Sequence, residues 1–238
     1  MNRERTSRNG PTNERGVSAV LSFVLVLGIV LGSVAILSVA GFGLLDDQRE
    51  AEELRTAERG MTHLASDLDE LARYDGLERR TAALPVGGGT LVVDEGGTEL
   101  EVVADGDPVA GEGAIELGTL SYRSGSEAVA YDGGAVVRSD EAGSQFRRQP
   151  TATCREERAT VSLVRIESDG RAVHTGGQVA VTARVVDRAN WTADVDDGIS
   201  ITAAHTDHER AWEHLEHEWT DCEPERVRLT VTTVSLES

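Results

Sequence analysis

The spacing of apolar positions divides the chain into three stretches. From Val17 to Leu45 no residue is charged, and nearly all are apolar or small. A run of 29 such residues is long enough to cross a hydrocarbon core of about 30 Å as a helix rising about 1.5 Å per residue. Beyond it, Leu54, Ala57, Met61, Leu64, Leu68 and Leu71 recur at spacings of three and four, with Glu, Asp and Arg filling the other faces. That stripe predicts an amphipathic helix continuing the span to about Tyr74, where Asp75-Gly76 supplies a stop. Packing on a head domain accounts for the stripe; a coiled coil between subunits is the alternative, for which about 2.5 heptads are few.

From about Leu84 the period falls to two. Alternating runs predict strands over Thr90–Val93, Glu99–Val103, Ala114–Tyr122, Glu127–Tyr131 and Ala135–Arg138, then over Thr160–Glu167, Gln178–Asp187, Ile199–Ala204 and Val227–Leu236. Glu95-Gly96-Gly97 reads as a hairpin turn joining the first two, and Asp132-Gly133-Gly134 as another tight turn. Near the end, Thr206-Asp207-His208-Glu209 reads as a capping box, with Thr206 as N-cap, for a helix carrying Trp212, Leu215 and Trp219 on one face. The expected fold class is therefore α+β. A long N-terminal transmembrane and amphipathic helix is followed by a mainly antiparallel, sandwich-like β head with one late short helix. The expected division is 1–16 as a basic leader, 17–45 as the transmembrane helix, 46–75 as its amphipathic continuation and 84–238 as the head.

Charge adds an orientation. The chain has 42 acidic and 23 basic side chains, net -19, and every basic one is arginine. Residues 1–16 hold four arginines and two glutamates (+2), which leaves 19 basic against 40 acidic side chains (-21) in 17–238. Arginines before the apolar run and carboxylates after it put the N-terminus in the cytoplasm and the head outside, as a single-pass protein of the cytoplasmic membrane. The acid excess excludes a basic footprint for nucleic acid. With lysine absent, it fits a halophile, since molar salt screens carboxylate repulsion to about 3 Å.

Arg15-Gly16-Val17-Ser18-Ala19-Val20 resembles the class III signal of archaeal type IV pilins and archaellins: a basic residue, a small residue, then the apolar stretch. The resemblance implies cleavage by a prepilin peptidase between Gly16 and Val17, with the helix retained as an anchor and able to pack with other pilin-like subunits. The glutamate that bacterial pilins carry at the fifth mature position is Leu21 here, and many haloarchaeal pilin-like chains have proline where Ala19 stands. An uncleaved signal anchor, its head binding an envelope partner or ligand, is the alternative. The segment from Glu116 to Ser139 and the ending from Ala211 also resemble an uncharacterised group of haloarchaeal surface proteins with pilin-like N-termini. In that group a G-x-L-x-Y strand and an A-Y-x-G-G strand precede a late A-W helix and a final strand, a resemblance of structural motifs that supplies no catalytic residue.

Four features bear on chemistry. Gly28 and Gly32 form a G-x-x-x-G pair suited to close helix approach in lipid. Cys154 and Cys222, in the segment assigned to the exterior, either pair or stand as two thiols. Asn190-Trp191-Thr192 is an N-glycosylation sequon expected in an exposed loop. His205, His208, His214 and His217 cluster, but their spacing matches neither H-E-x-x-H nor H-x-x-E-H, and a solvated face accounts for them. No G-x-S-x-G and no phosphate loop is present. The sequence points to no catalytic residue, cofactor or metal, and to a protein that is not an enzyme.

Overall fold

The computed structural model describes residues 14–111, 113–168 and 172–237. Most of the basic leader, and the side chains of Arg15 and Val17 on either side of Gly16, lie outside the described residues. Helix α1 runs Glu14–Arg73. The chain forms two compact units, one ending at Arg49 and the other comprising Glu50–Ser238.

The first unit contains the apolar part of α1. Val20–Ser38 has a mean hydropathy of 2.8, and none of it is buried. Two of its hydroxyls bond within the helix: Ser33 and Ser38 donate to the Val30 and Val34 carbonyls at 2.9 and 2.8 Å. A hydrocarbon surrounding, which offers no partners, requires this.

The second unit is built around the rest of α1. Its large sheet contains β1 (Arg79–Asp94), β5 (Thr119–Ser124), β6 (Glu127–Asp132), β7 (Ala135–Asp140), β8 (Gly143–Arg148), β9 (Thr151–Arg155), β10 (Arg158–Glu167), β11 (Ala172–Asp194) and β13 (Arg226–Glu237). The order is β8-β7-β6-β5-β1-β11-β13-β10-β9, antiparallel except for β10 and β13. A smaller sheet contains β2 (Glu99–Ala104), β3 (Asp107–Pro108), β4 (Ile115–Glu116) and β12 (Ile199–Ala204). Helix α2 runs Glu209–Glu218.

The order of the large sheet dictates its curl. β8 and β9 lie at opposite edges, yet only Gln149 and Pro150 separate them in sequence. A link of that length spans no more than about 11 Å, so the sheet bends until its edges meet. Asp69 of α1 marks the seam, accepting hydrogen bonds from Arg148 on β8 and from Thr151 on β9. Inside the curl the α1 stripe, Leu54 to Leu71, is buried against Leu91, Leu120, Tyr131, Val164 and Val234 from five strands. Arg188 of β11 closes the end of α1, its guanidinium donating to the Leu71, Tyr74 and Leu77 carbonyls at 2.9, 3.3 and 3.1 Å. Strand alternation sends the opposite side chains outward. Val161, Leu163, Leu229 and Val231 form a second core with Leu100, Val102 and Ile201 of the small sheet and with Trp212 and Leu215 of α2. The fold is α+β: helix inside, curled sheet around it, and a second sheet with a short helix outside.

Several boundaries differ from the sequence reading. The head is not confined to 84–238: Glu50–Arg73 of α1 forms its inner core, and β1 starts at Arg79 because its first half pairs with β11. Glu95-Gly96-Gly97 is not a hairpin, since β1 pairs with β11 and β5 while β2 pairs with β12, β3 and β4. Gly97, at φ +110, turns the chain from one sheet into the other. Ala114–Tyr122 splits into β4 and β5 at Leu117-Gly118, where Gly118 has φ +64 and Ile166 of β10 donates to the Leu117 carbonyl at 2.7 Å. Thr206 is not the N-cap of α2, which starts after His208 and has no side-chain cap. Finally, Asn190 is not in a loop. It lies within β11, opposite Thr230 of β13, because that strand runs 23 residues.

Candidate functional site

The outward face of β1, β5, β6 and β7 carries a polar cleft of about 570 Å³. Its floor follows from strand register: Arg123, Ala128 and Ser139 stand in one row across β5, β6 and β7, with Ser121 and Ala130 in the next. Short side chains there leave room above the sheet. The turn between β1 and β2 and the connection from β12 to α2 form walls, the latter contributing His205, Asp207 and His208. Arg123 reaches across to Asp207, N to O 3.4 Å. His205, a non-glycine residue at φ +51, pairs with Glu99 at 2.9 Å. A left-handed backbone costs such a residue about 1 kcal/mol or more, so the wall here is held by its surroundings.

Behind the cleft lies a buried polar node. Asp132, at the end of β6, is fully buried. Its Oδ2 accepts from Thr98 Oγ1 at 2.5 Å and from Trp212 Nε1 at 3.0 Å. Thr98 Oγ1 is 2.7 Å from Thr206 Oγ1, which accepts from the His208 backbone N–H at 2.9 Å. A hydroxyl has one proton, so Thr98 gives its own to the carboxylate and Thr206 supplies the other bond. Burial raises the Asp132 carboxyl above the ordinary range, against its hydrogen bonds and the His208 imidazole. Burial also lowers the His208 imidazole, opposed by the Asp132 and Asp207 carboxylates. The node ties three elements together: β6, the crossing into β2 and the start of α2.

Of the residues singled out from sequence, His205 and His208 line the cleft and the others fall elsewhere. Cys154 and Cys222 are disulfide-bonded, Cα to Cα 6.1 Å, tying edge strand β9 to the segment between α2 and β13. Asn190 is exposed, and its Oδ1 accepts from Thr230 Oγ1 at 2.9 Å and from Arg228 at 3.3 Å. A Cβ placed on Gly28 or Gly32 meets nothing within 4 Å, so both leave an open helix surface. The histidines do not converge: His205 pairs with Glu99, His214 with Glu218 at 3.3 Å, and His208 is buried. Among the described residues, no three His, Cys, Asp or Glu side chains are grouped to hold a metal ion.

Residues 15–237 match a family of unknown function, DUF7289. The chain belongs to the DUF7289 family. No curated protein matches it, and no solved structure does. The DUF7289 match takes in both compact units, and with them the apolar helix, the cleft, the buried node and the disulfide. Sequence reading missed the cleft of this DUF7289 chain. Its floor carries Ser121, Ala128 and Ser139 beside Arg123, ordinary outward residues until the register aligns them. The available signal was Asp132 itself, an acidic residue closing the apolar strand Ala128–Tyr131 just before a tight Gly133-Gly134 turn.

Proposed function

We propose that this DUF7289 protein is a membrane-anchored cell-surface protein of pilin-like build, processed between Gly16 and Val17, with its head outside. The observation that carries the reading is α1 itself. One helix of 60 residues is apolar and unburied over Val20–Ser38, and its Leu54–Leu71 stripe is the inner core of a β head. The arginine-bearing leader orients such a helix with its N-terminus inside. The Cys154–Cys222 disulfide suits an oxidising exterior. The lysine-free acid excess suits concentrated salt.

A tether that does not polymerise is the second reading, favoured by Leu21. An aliphatic residue at the fifth mature position cannot pair with a neighbouring subunit's N-terminus as a glutamate does. The test of processing is mass spectrometry of the protein from its native membrane. A mature chain starting at Val17 is expected. An intact N-terminus at Met1 or Asn2 overturns processing and leaves the uncleaved anchor.

A further inference from the structure

We propose that Asn190 carries an N-linked glycan. The inference rests on the surface reading in one respect, that the head is outside the membrane.

Asn190-Trp191-Thr192 is the chain's single N-x-[ST] sequence. Strand alternation puts Asn190 and Thr192 side by side on one face of β11. That face is the inner one, because Arg188, two residues earlier, reaches the carbonyls at the end of α1. Past that end the inner face is polar. One row across β10, β13 and β11 reads Ser162, Thr230, Asn190, and the next reads Thr160, Arg228, Thr192. All six residues are exposed or half-buried. A sugar laid there covers no apolar side chain of either row and meets hydroxyls and a guanidinium that can bond to its own hydroxyls.

The carboxamide is held in the orientation that an N-linkage needs. Its Oδ1 accepts from Thr230 Oγ1 and from Arg228 at 2.9 and 3.3 Å, while its Nδ2 has no partner among the described residues. An N-linkage replaces one Nδ2 proton and leaves the carbonyl in place, so the folded head accepts the glycan without losing either bond.

The strand is also reachable. β1 pairs with β11 only as far as Arg184, and the Val185 N–H donates to the Glu78 carbonyl. Residues 187–194 therefore pair on one side alone, with β13. β13 is the last element of the chain. Until it docks, the sequon is paired to no strand and open to a transferase.

The step takes a glycan linked to a lipid phosphate as donor and an oligosaccharyltransferase acting on the outer side. Nδ2 bonds to the anomeric carbon and the bond from that carbon to the phosphate oxygen breaks. The lipid phosphate leaves, and Nδ2 gives up one proton.

The test is mass spectrometry of the full chain purified from its native membrane. Trypsin cuts after Arg188 and Arg210, and the 189–210 peptide is expected to carry sugar-mass increments on Asn190. Asn190→Gln and Thr192→Ala are each expected to abolish them; the second keeps Asn190 and removes only the sequon. If the first variant does not accumulate, the second decides. Intact cells treated with a membrane-impermeant reductant and then an impermeant maleimide are expected to show labelling at Cys154 or Cys222. An unmodified Asn190 in a chain that labels on intact cells overturns the glycan and leaves the surface reading standing. A chain that is unmodified and labels only after lysis overturns both. Increments that persist in Thr192→Ala also overturn the proposal.

Discussion

His208 sits where its own charge is costly. Burial holds the imidazole below its ordinary value of 6.5, with the nearby carboxylates pulling the other way. Between that lowered value and 6.5 the unfolded chain takes up a proton at this position that the folded chain refuses. Stability from this residue is therefore lost as pH falls through that window. Asp132 acts in the opposite sense. Its raised carboxyl lets the folded chain keep a proton that the unfolded one releases above about 3.8, so that contribution grows as pH falls toward 3.8. His208→Gln removes the first effect and, by taking away the imidazole that opposes it, strengthens the second. Urea unfolding at a series of pH values below 6.5 is expected to show a flatter loss of stability in the variant. Thr206 shows why this node was not legible beforehand. A Thr three residues before a Glu satisfies the capping pattern, yet its hydroxyl bonds to the His208 N–H and to Thr98 instead, because a strand crossing from the other sheet arrives beside it.

The elements that could be read are those with one buried face. The α1 stripe recurs every three or four residues because a curled sheet covers that side alone, and Leu68 on it is wholly buried. Leu68→Ala is expected to cost about 3 kcal/mol, read from urea unfolding, because the surrounding strands cannot collapse into the space. β12 was legible for the same reason, its buried and exposed residues alternating, while β10 and β13, covered on both faces, were legible as runs rich in β-branched and aliphatic residues. β8 and β9 were not. As edges they bury little, and their polar, arginine-bearing sequences carry no alternation. Partner choice was the other gap: Glu95-Gly96-Gly97 announces a turn, but nothing local tells that β1 takes β5 and β11 and gives β2 to the second sheet.

Across the whole head, the Cys154–Cys222 bond joins the last strand of the seam to the outer core. The separation of 68 residues makes loop closure worth about 4 kcal/mol in the chain-entropy account. Reduction, or Cys154→Ser with Cys222→Ser, is expected to lower unfolding stability by roughly that amount, checked by urea unfolding with and without reductant. The same long-range wiring governs how the head can be made. β13 lies between β11, which also pairs with β1, and β10, which also pairs with β9, so the two halves of the sheet join only through it. While Arg226–Glu237 is still inside the ribosome, the sheet has no centre on that side and cannot close over α1. The head therefore closes late: a chain still lacking β13 leaves the α1 stripe without the strand that carries Val234 and joins β10 to β11.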